Sequence, residues 1–557
     1  MEVSNMVKLR INGKEYEVEP GRNLLHTCLA LGFDIPYFCF HPALGSVGAC
    51  RQCAVKKFKD DKDTKGKIVM SCMEPVADGL IISTDDQEVR DFRKSVIEAL
   101  MLNHPHDCPV CDEGSECHLQ DMTVMTGHNY RRYDFRKRTY RNQDLGPYIN
   151  HEMNRCIQCY RCVRFYRDYA GGSDLHAFGS SGHIFFGRHN DGKLENQFSG
   201  NLVEVCPTGV FTDKTFSHHY TRKWDLTNSP SICHGCSVGC NTIVSERYGM
   251  VRRIRSRYNK DVNGYFLCDR GRFGYEYMNS PGRIQNILVK PGKYSEPDAD
   301  YKDTLRQALN AGKIAAIGSP TASLESNFAL QTLVGKENFF HGITGEQYQL
   351  VKEAVKILTN NPAKLPSLND IEKSDCVLVL GEDPYVTAPE MALAIRQASR
   401  NESFRIAAES GIPLWNDTAV RDRTLGVKSP VFIASPAPTG IDDLAKEIFI
   451  LPPDDIAMTG FMTAYFVDKT SPIPEKSGKQ LTDAAESIAG ALLSSNNPLI
   501  ITGIQSNNMN ILLASANIVA ALKNAGKNAS LAVIFPYCNS YGLGLLGGRS
   551  IDELLAG

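Results

Sequence analysis

Tryptophan is scarce in this sequence, with 2 in 557 residues, and so is net charge. Lys and Arg number 61 against 63 Asp and Glu, which leaves −2. A near-neutral chain has no global field to attract nucleic acid or an anionic bilayer. No run approaches the ~20 apolar residues that a membrane-spanning helix needs. Residues Met1 to Arg10 are polar, without the apolar core or cleavage site of a secretory leader. The expectation is a soluble chain, cytoplasmic or bound peripherally to something larger. No Ser-His-Asp set, P-loop or metalloprotease helix is apparent, so general acid–base chemistry is not indicated. Internal repeats and low-complexity tracts are absent as well. The last shortage is positional. Of 18 cysteines, sixteen lie between Cys28 and Cys268, and only Cys376 and Cys538 follow. In a reducing compartment such crowding argues for metal ligation rather than disulfides.

Local patterns divide the chain. Lys8 to Ile11 and Glu15 to Val18 flank Asn12-Gly13, a strong hairpin signal. Asn23 can cap a short helix bearing Leu24, Leu25, Cys28 and Leu29, which Gly32 ends. Strand-like pieces recur at Lys67 to Cys72 and Leu80 to Ser83, and Thr84 or Asp85 can cap a helix reaching about Leu102. From His104 to Asn228 apolar periodicity is weak, so order there needs another source, which metal clusters would supply. After about Pro281, strand-like and helical runs alternate. They are Lys313 to Ile317 with Ala322 to Val334, Cys376 to Leu380 with Ala388 to Ser399, and Pro430 to Ile433 with Ile441 to Ile448. Leu499 to Thr502 with Met509 to Lys523, and then Leu531 to Phe535, complete the series. Such alternation predicts an α/β body with parallel strands.

The cysteines fall into four sets. Cys39, Cys50, Cys53 and Cys72 give C-x10-C-x2-C-x18-C, with Gly45 and Gly48 free to bend the loop around a cluster. In a β-rich domain this favours [2Fe–2S]. Cys108, Cys111 and Cys117 supply only three thiolates, so a histidine must complete the second set. His104, His106 and His118 compete on proximity. Cys156, Cys159 and Cys162, closed by Cys206 before Pro207, resemble a bacterial ferredoxin run and favour [4Fe–4S]. Cys233, Cys236, Cys240 and Cys268 form one triplet with a remote ligand, again favouring [4Fe–4S]. Zinc is the rival reading for each set, weakest for the third. Cys28 and Cys376 read as small buried hydrophobes.

With these sets in place the chain resembles the G-subunit family of bacterial NADH:quinone oxidoreductase, respiratory complex I. The carrying segments are DIPYFCFHPALGSVGACRQCAVK, NHPHDCPVCDEGSECHLQDM, HEMNRCIQCYRCVRFYRDYA, GNLVEVCPTGVFTDKT, and SICHGCSVGC followed by YFLCDRGRFG. The resemblance implies one [2Fe–2S] cluster on the first set and three [4Fe–4S] clusters on the others, and it selects His104 as the histidine ligand. It implies a multidomain α+β and α/β chain. The domains would be a β-grasp ferredoxin-like [2Fe–2S] domain over 1–84, a His-and-Cys [4Fe–4S] domain over 85–145 and a ferredoxin-like [4Fe–4S] domain over 146–225. A [4Fe–4S] domain of molybdopterin-enzyme type would follow over 226–282, and a molybdopterin-oxidoreductase-like α/β domain over 283–557, incomplete at Gly557. The first three clusters would carry electrons from a flavin/NADH-binding subunit toward the other peripheral-arm iron–sulfur subunits, and so toward quinone, coupled in the whole complex to proton translocation. The fourth is usually viewed as off that path. The place implied is the cytoplasmic side of the inner (plasma) membrane, reached only through the complex. The alternative is the catalytic subunit of a related formate dehydrogenase or hydrogenase. Catalytic relatives carry a lysine two positions after the last cluster cysteine, where this chain has Arg270, and a metal ligand downstream, where it has only Cys376 in a buried-strand pattern. No molybdopterin is therefore expected.

Two other features invite a reading. Gly542, Gly544 and Gly547 spell G-x-G-x-x-G, but Pro536 to Tyr541 separate them from the preceding strand, so a glycine-rich loop is expected. No NADH or quinone site is expected on this chain. Tyr130 to Arg141 alternates aromatics with basics, as nucleic-acid platforms do. With so little net charge, Arg131, Arg132, Arg155, Arg161 and Arg164 are read instead as offsetting anionic clusters or binding an acidic subunit, and no nucleic-acid partner is expected.

Overall fold

In a computed structural model, which describes residues 6–285, 288–290, 293–294, 301–312, 314–360, 364–474 and 478–556, Asn12 and Gly13 both take positive φ, 50° and 81°. That geometry suits the two-residue hairpin turn their pair favours. It folds strand β1 (Val7–Ile11) onto β2 (Lys14–Val18). Asn23 caps helix α1 (Leu24–Ala30), its side chain accepting from His26 N at 2.8 Å. Strands β3 (Ala54–Phe58), β4 (Lys67–Met70) and β5 (Leu80–Ser83) complete a sheet in the order β2-β1-β5-β3-β4. β1 and β5 run parallel at its centre and every other pair is antiparallel.

Helix α2 (Gln87–Met101) is capped by Asp86, which accepts from Glu88 N at 3.0 Å, rather than by Thr84 or Asp85. Thr84 is engaged elsewhere, exchanging two 2.8 Å hydrogen bonds with the Asn12 side chain. Beyond α2 the elements become short. Helix α3 (His118–Met125) is followed by no helix or strand among the described residues before Ile149–His151, which pairs with Phe211–Asp213.

The chain divides into two units. The first comprises 1–228, 245–247 and 402–427, and the second comprises 229–244, 248–401 and 428–557. The first therefore recovers a segment from far along the sequence, including the helix Asp417–Thr424. Arg421 of that helix pairs with Asp168 at 2.8 Å, and the Trp415 carbonyl accepts from Ser46 N at 3.3 Å.

In the second unit, β6 (Cys376–Leu380), β7 (Val431–Ser435), β8 (Glu447–Ile450), β9 (Pro498–Gly503) and β10 (Ser530–Ile534) form a parallel sheet in the order β8-β7-β6-β9-β10. Alternate residues face opposite sides. Leu378, Leu380 and Ile500 share a core with Ile456, Ile488 and Ile518 from three covering helices. Val377, Val379 and Ile501 meet Met391 and Ile395 on the other side. The helix expected over Ile441 to Ile448 is absent. A short turn, Asp442–Leu444, leads into β8, whose pairing with β7 prevails over the helical spacing of its apolar residues. Of the strand expected over Lys313 to Ile317, Lys313 lies outside the described residues and Ala316–Ile317 pairs with Phe339–Phe340. The G-x-G-x-x-G is not a loop either. Gly542 and Gly544 lie within the helix Ser540–Leu546, and Gly547 ends it at φ 74°. A Cβ on Gly544 would stand 2.7 Å from Val355, so a bare backbone there permits close helix packing. Among the described residues no helix is long and apolar enough to cross a membrane.

Candidate metal centres

The first set grows from the loop between α1 and β3. Gly45 and Gly48 both hold φ +67°, and a Cβ on Gly45 would run into the Trp415 carbonyl oxygen. This curl brings Cys39 N to 3.4 Å from Cys50 Sγ. Cys72 joins from the turn after β4, so that Cys39 contacts Cys50 and Cys72, and Cys53 contacts Cys72. All four are buried. Hydrogen bonds from Cys50 and Cys72 pull the Cys39 thiol well below its ordinary value and push those two partners up. Surrounding polar groups brace the loop. Arg164 Nη1 donates to the Cys39 carbonyl at 2.8 Å and Nη2 to that of Leu44. Ser71 Oγ donates to the Cys53 carbonyl at 2.7 Å.

The second set lines one cavity of about 390 Å³, walled by His104, Cys108, Cys111 and Cys117 together with His106 and Leu119. A Cβ on Gly209 would lie 2.6 Å from Cys111 Sγ, so glycine keeps that wall open to the sulfur. Burial lowers His104 to about 4, which leaves its ring neutral at pH 7, and its buried Nδ1 has no partner. A neutral imidazole with a bare nitrogen suits metal ligation. His106 shares the cavity. His118 is engaged elsewhere, with Nε2 2.6 Å from the Tyr37 carbonyl and its ring edge-on to Phe38. Burial pushes Cys117 up to about 12, so a cation is needed to draw out its thiolate.

The third set is wound tightly because Gln158 and Tyr160 take left-handed φ of 54° and 62°. Gln158 N points to Cys156 Sγ at 3.3 Å. Cys206 arrives at the end of the helix Leu202–Val205. Burial raises all four thiols, and at Cys159 the Arg161 cation partly opposes the rise. Arg155, Arg161 and Arg164 are buried, so they are not a solvated face. Arg132 instead pairs with Glu98 at 2.7 Å.

The fourth set lies in the second unit. Cys233 N donates to the Cys240 carbonyl at 2.8 Å, and Cys268 precedes the helix Asp269–Phe273. A Cβ on Gly271 would stand 3.2 Å from Cys233 Sγ. Arg270 hydrogen-bonds the Cys236 side chain and donates to the Val386 and Thr387 carbonyls at 3.1 and 3.4 Å. Buried Glu390, raised to about 8 by burial, accepts from the Cys268 backbone. Cys376 lies in the sheet core, and Cys28 is likewise packed in a core. Among the described residues, no group of three or more His, Cys, Asp or Glu converges on a point that would hold a single metal ion. The second set places its donors around one cavity.

Spacing alone does not reveal three contributors. Gln52 is fully buried between Cys50 and Cys53, Arg164 braces the first loop from beside the third set, and 402–427 returns to the first unit. The Arg and Gln inside C-x2-C are visible in the sequence, but nothing local shows which of them turns inward.

Comparison with known families matches four segments. Residues 4–87 fit a 2Fe-2S iron-sulfur cluster binding domain, and 93–132 fit the NADH-ubiquinone oxidoreductase-G iron-sulfur binding region. Residues 146–212 fit the ferredoxin-like domain of NADH-quinone oxidoreductase subunit 3, and 226–280 fit a molybdopterin oxidoreductase Fe4S4 domain. The chain is 53% identical to the NADH-quinone oxidoreductase G subunit of Pseudomonas fluorescens, over 99% of its own length and 61% of that relative. It is 50% identical to the G subunits of Salmonella typhimurium and Escherichia coli, with the same coverage. The chain thus spans about 61% of the length of these curated relatives.

Proposed function

The chain belongs to the G-subunit family of NADH-quinone oxidoreductase, and from that premise we propose that it is an electron-transfer subunit of such a complex. Cys39, Cys50, Cys53 and Cys72 would hold one [2Fe–2S] cluster. His104, Cys108, Cys111 and Cys117 would hold a [4Fe–4S] cluster, as would Cys156, Cys159, Cys162 and Cys206, and Cys233, Cys236, Cys240 and Cys268. Clusters of these kinds supply one-electron transfer. The protein's part is to fix their positions, bury them and neutralise their charge.

The observation that carries the reading is the central position of the third set in the first unit. Arg164, two residues after Cys162, holds the Cys39 carbonyl of the first set. Arg155, immediately before Cys156, holds the carbonyl of Gly209 at 3.3 Å and the Asp107 carboxylate at 2.7 Å, both on the wall of the second cavity. Neighbouring sites tied by buried cations form a relay running first, third, second. The flavin/NADH-binding subunit and the other peripheral-arm iron–sulfur subunits are the proposed partners, at the cytoplasmic face of the membrane. For the fourth set we propose no catalytic molybdenum, since Arg270 bridges Cys236 and two backbone carbonyls and Cys376 is sealed in the sheet.

Anaerobic iron and sulfide analysis with low-temperature EPR of the dithionite-reduced chain tests this. One binuclear signal and several tetranuclear signals are expected. Iron-free protein rich in zinc, or spectra lacking the binuclear signal, would overturn the reading.

A further inference from the structure

The Gln52 side chain is fully buried, yet neither its Nε2 nor its Oε1 has a hydrogen-bond partner. Leaving such a group unsatisfied forfeits its hydration without replacement, and buried polar groups nearly always find partners. Other buried polar side chains packed around the same sheet do find them. Asn23 bonds Ser46 at 3.1 Å, Ser71 bonds the Cys53 carbonyl, and Arg93 Nε bonds the Ala54 carbonyl at 3.0 Å. Gln52 sits between Cys50 and Cys53, while Arg51 before it takes φ 56° and stays exposed. The chain thus places a long amide in a dry site beside two proposed ligands and gives it no protein group to bond.

We propose that Gln52 is a positioning residue for the first cluster, its amide N–H donating to an inorganic sulfide of the cluster and holding the reduction potential up. Sulfur gains negative charge on reduction, so a donor aimed at it stabilises the reduced form more than the oxidised form. This rests on the first set holding [2Fe–2S], but it adds a residue outside the ligand set and a direction of effect.

The test is an EPR-monitored redox titration of the binuclear signal in the assembled complex, comparing the native chain with Gln52→Leu and Gln52→Glu. Leucine keeps the apolar bulk without a donor, and glutamate keeps the shape while losing the N–H₂ group. Both variants are expected to retain the signal and to shift the reduced-to-oxidised ratio at the native midpoint about tenfold toward oxidised, about 59 mV for a one-electron couple. A midpoint unchanged in both would overturn the proposal while leaving the cluster assignment intact. A native chain without the binuclear signal would instead sink the functional reading beneath it. Should either variant fail to assemble, pulsed EPR of the native protein with glutamine labelled by ¹⁵N at the side-chain nitrogen decides. A hyperfine coupling to that nitrogen is expected, and its absence would overturn the proposal.

Discussion

The sheet β6 to β10 and the stretch from His104 to Asp225 are ordered by different physics. Every residue of β6 is buried, and its alternate side chains enter two apolar cores. The stretch from His104 builds helices and strands mostly of three to eight residues, and besides Arg155, which the Asp107 carboxylate meets, it buries Arg161 and Arg164 among thiols. Buried cations of that kind are costly without anions to meet them. Thiols raised by burial cannot serve as those anions until a metal draws off their protons. One region is therefore complete as a polypeptide, and the other is completed by what it binds.

The largest effect should come from removing that ligand. Chelation of iron from the full chain is expected to unfold the ligand-bearing stretch and spare the sheet, because binding energy there is folding energy. Hydrogen exchange would then show protection lost across 104–225 and kept across 376–380 and 498–503. Equal loss in both regions would break the contrast.

The same contrast separates what is legible in the sequence from what is not. Cysteine spacing is written in order along the chain, so all four proposed sets are visible from Cys39 to Cys268. The hairpin at Asn12-Gly13 and the helix from Met509 are equally local. Strand β8 reads as a helix because Ile441, Leu444 and Ile448 have helical spacing, while the edge of β7 that recruits β8 is set by pairing rather than by pattern. The fully apolar β6 is legible as a buried strand, but which helices cover each face is not. The return of 402–427 to the first unit has no local signature, since Trp415 contributes a backbone carbonyl that any residue could offer. The choice among His104, His106 and His118 needs burial and partners, which spacing does not contain.

An intermediate effect should mark the apolar unit. Glu382 follows β6 in a buried position, with Gln505 N 3.4 Å from its carboxylate, and burial raises it from 4.5 to about 7. The unfolded carboxyl releases its proton near 4.5 while the folded one keeps it to about 7. Across that window the folded state binds more protons, so stability falls as pH rises and then levels. With each tenfold in proton affinity worth about 1.36 kcal/mol, the loss is on the order of 3 kcal/mol. Glu382→Gln should flatten the decline, as read from denaturant midpoints of the sheet unit between about pH 4.5 and 7.5. An unchanged slope would mean that the carboxyl is better solvated than its burial indicates.

The smallest effect should come from the seam within the first unit. Arg421 reaches Asp168 at 2.8 Å and Asp417 at 3.0 Å, with 46% of its side chain exposed. Solvent screens a pair so placed, and such pairs contribute about 0.2–1 kcal/mol. Arg421→Ala should therefore lower the first unit's stability only slightly, and high salt should erase the difference. A double-mutant cycle with Asp168→Asn isolates the pair from the backbone bond between Ser46 and Trp415, which neither change removes. A coupling within that range would show the returning segment to be held mainly by backbone and packing. A coupling of several kcal/mol would show instead that charge fastens it, and that the metal-bearing unit relies on one more buried ion pair than its exposure implies.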